Sequence, residues 1–149
     1  MDFQRQVTRR LHEEHEATLA LWGRVPRLPI KPDADGVQLL RRAAAALAGE
    51  IGRHFRFEEE ALFPRLAAAG EGEIGELLGE EHVVIRDAAA RLDAALSSAR
   101  FEAARAVGVE LAELIFSHVQ KEELSLLPAV DDALDEQADA ELSAEYLTA

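Results

Sequence analysis

One string of residues occurs twice in this chain and constrains its fold more than any other feature. Residues 54–64 read HFRFEEEALFP and residues 118–128 read HVQKEELSLLP, so both fit His-x3-Glu-Glu-x2-Leu-[Phe/Leu]-Pro. A shorter string, Glu-Glu-His, occurs at 13–15 and again at 80–82. Because side chains four residues apart share one face of a helix, each long repeat can direct an imidazole and a carboxylate to one point. The repeats therefore predict helices that share a polar centre.

The spacing of apolar residues and the positions of Pro and Gly divide the chain into helices. Long helices are expected at about residues 3–23, 37–69, 74–96 and 101–127. A Pro-rich connection at 24–36 follows the first, and Pro128 is expected to stop the last. Pro64 either breaks or kinks the second helix or opens a short final helical piece. Long helices with mostly short links favour an all-α, up-down-up-down four-helix bundle.

The length and charge of the chain bound its organisation and its partners. We expect a single domain over residues 1–149, with the bundle at about 3–128 and an acidic C-terminal helical segment at about 129–149. The acidic segment is interpreted as a solvated face or a frayed helix, and a cation-attracting role stays open. The formal net charge of −13 argues against nucleic acid as a partner, because phosphate contacts need clustered Lys and Arg.

Several classes of protein are disfavoured by what the sequence lacks. It contains no cysteine, which excludes disulfides, thiolate metal sites and iron–sulfur clusters built on its own residues. The first residues, MDFQRQVTRRLHEEH, show no apolar stretch typical of a secretory signal. The sequence contains no run of about 18 apolar residues, which is the length that a membrane-spanning helix needs. A cytoplasmic location with no membrane partner is the expectation.

The repeats predict a metal site. Its predicted ligands are His15, His54, Glu58, His82, His118 and Glu122. Each His alone could be an ordinary surface or satisfied core residue, but the matching windows together favour a metal. Imidazole and carboxylate without thiolate suit Fe, Mn or Zn, and six side chains exceed the four of a closed zinc site. Two ions bridged by Glu58 and Glu122 fit that number better.

The ferritin-like carboxylate bundle is the nearest alternative architecture. It requires Glu-x-x-His on two of its helices. The residues three before each His are Arg9, His12, Ile51, Gly79 and Ile115. No Glu-x-x-His exists in the chain, and this counts against ferritin-like oxidase chemistry.

The paired His-x3-Glu-Glu segments make the chain resemble hemerythrin-like, HHE cation-binding domains over roughly residues 8–130. The resemblance implies a four-helix bundle around a non-haem di-iron centre, with the iron ions bridged by an oxo or hydroxo group and two carboxylates. Residue by residue, His15 and His82 match the ligands of the first and third helices. The pair His54 and Glu58 matches the ligands of the second helix, and the pair His118 and Glu122 matches those of the fourth. Mn or Zn is the less favoured occupant.

The chain departs from this family pattern at one position. Oxygen-carrying hemerythrins have five His ligands, two of them four apart on the third helix. Here the positions four before and four after His82 are Leu78 and Arg86, so one imidazole is missing. The departure puts reversible dioxygen carriage in doubt and favours iron sensing, redox chemistry or regulation. His12, three residues before His15, is either an exposed or outer-sphere residue or a replacement for the missing ligand.

Carboxylates beside the predicted ligands are candidates for hydrogen bonds to the outer nitrogens of the imidazoles. Glu50 or Asp87 could fill this role. Glu14 and Glu81 are interpreted as surface or interhelical charges. The second Glu of each long repeat, Glu59 or Glu123, is interpreted as an outer-sphere or solvated residue rather than as a ligand.

The sequence favours a di-iron protein that binds or senses a small oxidant (dioxygen, nitric oxide or peroxide) or iron itself. One alternative is a di-iron redox enzyme that removes peroxide, although no substrate-binding motif accompanies the site. Another is an iron-donating or iron-responsive module, but the related cluster-repair proteins carry a Cys-containing leader that this sequence lacks. The physiological ligand, the metal loaded in the cell and the oligomeric state stay open.

Overall fold

The computed structural model describes residues 2–148, and every regular element within them is helical. The prediction of an all-α chain is therefore confirmed. The α-helices are α1 Gln6–Trp22, α2 Ala34–Glu50, α3 Phe63–Ala68, α4 Gly72–Ser97, α5 Phe101–Lys121, α6 Leu127–Ala133 and α7 Glu136–Thr148. A 3-10 turn covers Val25–Arg27, and π-helical turns cover Ile51–Phe55, Glu58–Leu62 and Glu122–Leu126.

The π-helical turns join short helices into longer rods. α2 runs through two of them into α3, and α5 runs through the third into α6. The prediction that Pro128 stops the last long helix is wrong, because the backbone stays helical at Leu126 and Leu127 and the helix ends at Ala133. Pro128 lies in the first turn of α6, where a missing N–H is tolerated. Pro64 likewise opens α3, as one of the two expected alternatives had it.

α4 and α5 form a helical hairpin. Their link spans only residues 98–100. Arg91 pairs with Glu110 at 2.6 Å near the link, whereas Glu81 lies 2.9 Å from His118, far from it. Residue numbers of the contacting partners therefore increase along α4 as they decrease along α5, so the two helices are antiparallel.

Two apolar cores lie on either side of the polar centre. Large buried side chains of the first core are Trp22, Leu40, Leu47, Ile85, Leu92 and Leu111. Those of the second core are Leu11, Leu62, Leu66, Leu78, Leu126 and Leu127. Along α1 and α4, the predicted His ligand falls between the residues of one core and those of the other. The centre is therefore held between apolar side chains at both ends.

Acidic residues of α6 and α7 cap the start of α1. Arg5, at the cap position of α1, makes no side-chain cap of its own. Asp139 accepts hydrogen bonds from the backbone N–H groups of Gln6 at 2.8 Å and Val7 at 3.0 Å, and Asp131 accepts one from Arg5 at 2.8 Å. Carboxylates at a helix N-terminus satisfy free N–H groups and the helix dipole. Part of the acidic C-terminal segment is thus docked on the start of α1.

No helix in the described part of the chain combines the length and the apolar character that crossing a bilayer requires.

Candidate metal centre

The structure brings all six predicted ligand side chains together, and each is at most 3% exposed. They form two groups whose donor atoms lie within 4.8 Å of one another. We call the first half-site the pair His15 and His54, and the second half-site the pair His82 and His118. Glu58 and Glu122 belong to both groups.

The two shared carboxylates each present one oxygen to each half-site. Glu58 places Oε2 3.1 Å from Nε2 of His54 and Oε1 3.2 Å from Nε2 of His82. Glu122 places Oε1 2.7 Å from Nε2 of His15 and Oε2 3.0 Å from Nε2 of His118. Each of the two carboxylates is therefore shared between the half-sites.

The long repeats position these side chains through local helix geometry. His and Glu four residues apart share a helix face, so each repeat carries one imidazole beside one bridging carboxylate. His54, Glu58 and Glu122 all lie in π-helical turns. Such turns are rare in proteins as a whole, and those that occur are often found at functional sites.

Four inward-facing atoms are buried without a hydrogen bond, and all four face the second half-site. They are Oε1 of Glu58, Nε2 of His82, Nε2 of His118 and Oε2 of Glu122. A buried polar atom left unsatisfied costs about 1–3 kcal/mol. A cation would satisfy these atoms together, and nitrogen and oxygen donors suit a first-row metal. The residues present therefore fit a metal ion.

Each imidazole also turns its outer nitrogen, Nδ1, toward a carboxylate. The distances are 3.5 Å for His15 to Glu123, 3.2 Å for His54 to Glu14, 2.7 Å for His82 to Glu59 and 2.9 Å for His118 to Glu81. Such contacts fix the ring orientation and the tautomer of a metal-ligating His. Glu50, one of the two expected partners, lies 4.0 Å from Nδ1 of His54, beyond hydrogen-bond distance.

The outer carboxylates come from the same repeats as the ligands. Glu14 and Glu81 precede a ligand His in Glu-Glu-His, and each bonds to the His of the following rod. Their interpretation as interhelical charges is correct, but it missed this contact. Glu59 and Glu123 are the second Glu of each long repeat. The sequence feature that could have identified all four outer carboxylates is that Glu-Glu-His and the long repeat each occur twice.

Every outer carboxylate has a further partner. Glu59 accepts hydrogen bonds from both terminal nitrogens of Arg86, at 2.8 Å and 2.9 Å. Glu81 pairs with Lys121, and Glu123 with His12. The partners of Glu14 are Arg10 and Tyr146.

His12 does not replace the missing imidazole. It lies outside both groups of candidate ligands and contacts Glu123 and Glu16. Leu78 is buried in the second core, and Arg86 points to Glu59. The second half-site therefore has two imidazoles, as the first does.

Charge coupling within the centre shifts several pKa values. Burial lowers the pKa of His15, but the nearby carboxylates of Glu122 and Glu123 outweigh it and raise the pKa to about 9. Burial also lowers the pKa of His82, but the nearby carboxylates of Glu122 and Glu58 outweigh it and raise the pKa to about 9. The pKa of Glu122 is held well below its usual range, against its burial, by hydrogen bonds with the surrounding imidazoles. The metal-free centre therefore holds protons that a metal would displace.

Aromatic rings enclose the second half-site. Phe55 stacks on His82 with ring centres 3.8 Å apart, and the ring of Phe63 lies 5.8 Å from that of His82. A Cβ atom at Gly75 would lie 2.9 Å from Phe63, so the glycine leaves space for this ring. The first half-site instead borders a cleft of about 390 Å³ lined in part by His54.

Comparison with known proteins identifies the family. The family model described as Hemerythrin HHE cation binding domain matches residues 6–130. This match covers most of the chain, so the protein belongs to that family, and the predicted resemblance is confirmed. No curated protein and no solved structure matches the chain.

Proposed function

We propose that this member of the hemerythrin HHE cation-binding family is a non-haem di-iron protein that binds or senses a small oxidant, or iron itself. One observation carries the proposal. Glu58 and Glu122 each offer one oxygen to His15 and His54 on one side and one to His82 and His118 on the other. Such a donor set holds two ions through shared carboxylates.

We further propose that the long rods form an up-down-up-down four-helix bundle around the centre. Thr18 bonds to Glu50, whereas Glu14, one turn earlier on α1, bonds to His54, one turn later in the next rod. α1 and this rod therefore run in opposite directions, as α4 and α5 do. Metal sites in such bundles are built from side chains that face one another across the core.

Iron is the occupant that the donor set supports best. Each half-site supplies two imidazole nitrogens and two carboxylate oxygens, one from Glu58 and one from Glu122. Iron, manganese and zinc accept such donors. A pair of iron ions would supply reversible redox change and a position open to a small ligand. Family membership favours iron over manganese and zinc.

The side chains of this protein would perform defined tasks at the centre. The four Nε2 atoms would bind the metal, and outer carboxylates hydrogen-bonded to Nδ1 of His54, His82 and His118 fix which nitrogen of these rings faces inward. The two apolar cores exclude water from both ends. Oxygen-carrying hemerythrins have a further imidazole on the third helix, where this chain has Leu78 or Arg86. The second half-site therefore has one protein donor fewer than the corresponding site of those proteins. This favours sensing or redox response over reversible carriage of dioxygen.

The test is to load the protein with ferrous iron without air and record its visible spectrum before and after nitric oxide, dioxygen or hydrogen peroxide. We expect a defined spectral change that saturates near one ligand per chain with at least one of them. A protein that contains two irons per chain and responds to none of them would contradict the oxidant-binding part of the proposal and leave only the response to iron itself. Steady consumption of peroxide that disappears in Glu58→Ala would favour the alternative of a peroxide-removing enzyme.

A further inference from the structure

The C-terminal helix α7 lies outside the part of the chain that matches the family, which ends at residue 130. It nevertheless contacts the metal centre. Tyr146 is 2% exposed, and its hydroxyl donates a hydrogen bond to Oε1 of Glu14. The same oxygen lies 3.2 Å from Nδ1 of His54. A side chain of α7 is thus two contacts away from a candidate ligand nitrogen.

Packing holds the Tyr146 ring in place. It stacks on Phe57 with ring centres 4.5 Å apart and planes 7° from parallel. The guanidinium carbon of Arg53 lies 5.1 Å from the centre of the ring. Asp139, two turns earlier on α7, is bonded to the start of α1. The hydroxyl is therefore presented to Glu14 by a docked helix.

Glu14 is an outer carboxylate whose further partners, within residues 2–148, include a residue beyond the matched region. Glu59 and Glu81 are held by Arg86 and Lys121, which lie within it. For Glu14, the first oxygen accepts from Tyr146 and the second accepts from Arg10 at 3.1 Å. Glu14 is thus held by a tyrosine hydroxyl in addition to a cation, whereas Glu59 and Glu81 are held, beyond the imidazoles, by cations.

We propose that α7 is a component of the metal centre and that Tyr146 is a positioning residue, which orients Glu14 and through it the His54 ring. This inference rests on the proposed function, because it requires an ion at the first half-site. Its consequence is a division of labour. The family domain supplies the ligands, and the C-terminal helix sets how firmly the ion beside His54 is held.

Tyr146→Phe tests the proposal, because it removes the hydroxyl and keeps the ring that packs on Phe57. Protein loaded with two Co²⁺ or Fe²⁺ ions per chain is mixed with excess chelator, and the release of each ion is followed. Loss of a direct outer partner typically costs roughly 10–100-fold in metal affinity. Tyr146 acts through Glu14, so we expect one ion to leave faster by a smaller factor, about 3–10-fold, with the other unchanged.

Two further variants separate positioning from simple loss of structure. Thr8→Val removes another hydroxyl-to-carboxylate bond of α1, from Thr8 to Asp131 at 2.6 Å, which touches no candidate ligand. It should lower stability without changing either release rate. Lys121→Met removes the partner of Glu81 and should speed release of the other ion. The double variant of Tyr146→Phe with Lys121→Met should then speed both, since the two changes act on separate half-sites.

Unchanged release of both ions in Tyr146→Phe would overturn the inference and leave the proposed function standing. Equal acceleration in Tyr146→Phe and Thr8→Val would also overturn it, because the effect would then follow stability alone. A wild-type chain that binds no second ion would overturn the proposed function and the inference together.

Discussion

The two half-sites of this centre have equivalent inner donors and different surroundings. Each presents two imidazoles and one oxygen from each of the shared residues Glu58 and Glu122. Around the second half-site, Glu59 and Glu81 lie within 2.9 Å of the imidazoles and are paired with Arg86 and Lys121. Around the first, the corresponding distances are 3.2 Å and 3.5 Å, and the further partners include a tyrosine and His12.

A repeated sequence can therefore specify the same ligands twice and still produce two half-sites with different surroundings. The repeats supply the imidazoles, the bridging carboxylates and the outer carboxylates of both halves. The groups that hold the outer carboxylates differ between the two halves, and all of them except Lys121 come from outside the repeats. We therefore expect the first half-site, next to the cleft and α7, to lose its ion more readily.

Removing a shared carboxylate should have the largest effect, because it takes a metal ligand from both half-sites at once. Glu122→Ala takes one oxygen from each half-site, and we expect elemental analysis to find neither ion retained. Glu122→Gln, which keeps the size of the side chain, covers the case in which the alanine variant fails to fold. Glu60→Ala is the matched control, since Glu60 is 65% exposed and pairs with Arg56 at the surface. Two ions retained in Glu122→Gln would contradict the bridging role.

Removing one imidazole should separate the two halves. His15→Ala and His118→Ala each delete a ligand from one half-site only, so we expect about one ion per chain in each variant. Spectra of the two variants loaded with Co²⁺ should differ, because the remaining ion has different neighbours. His12→Ala is the control, since His12 lies outside both groups of ligands, and it should retain two ions. Complete loss of metal in both single variants would show that the halves do not bind independently.

The pH dependence of the metal-free protein should affect both halves alike. His15 and His82 both have a pKa of about 9 in the folded chain, against 6.5 as the ordinary value. The folded state thus holds protons that the unfolded state releases near pH 6.5. The resulting stability is fully present below that pH and is lost as pH rises through about 9. One pKa unit is about 1.4 kcal/mol, so each ring accounts for roughly 3 kcal/mol.

Denaturant unfolding at pH 6, 7.5 and 9 measures this loss, and it should be much smaller in the metal-loaded protein, whose Nε2 atoms carry no proton. The single variant His82→Ala should remove part of the dependence. A metal-free protein whose stability is flat across this range would contradict the assigned pKa shifts.

Replacing an outer carboxylate should give the smallest change and the sharpest contrast. Glu59→Gln removes the charge 2.7 Å from His82, and it should weaken one ion by roughly 10–100-fold. Glu123→Gln removes a charge 3.5 Å from His15 and should weaken the other ion less. Competition titration with a coloured chelator measures both. A larger loss in Glu123→Gln than in Glu59→Gln would reverse the assigned order.

Much of this centre could be predicted from sequence, because its information is local. A His and a Glu four residues apart on a helix define a shared face wherever that helix packs. The position of His12 could not be predicted in the same way. It stands three residues before His15, and only the packing of α1 against the rod that carries Glu123 decides that it contacts that carboxylate.

The helix that continues past Pro128 shows a second limit. Proline usually ends a helix because it lacks an N–H group and its ring clashes with the preceding turn. Here the π-helical turn Glu122–Leu126 comes directly before, and Pro128 becomes a first-turn residue of α6. The place of Tyr146 was equally hidden, since its partner Glu14 lies 132 residues away.

Anomalous diffraction at the iron absorption edge, from crystals of the iron-loaded protein, tests the central claim most directly. We expect two peaks about 3.5–4 Å apart. One should lie beside His15 and His54 and the other beside His82 and His118, with Glu58 and Glu122 between them. A single peak, or iron bound elsewhere in a protein shown by elemental analysis to contain it, would contradict the claim of a carboxylate-bridged pair.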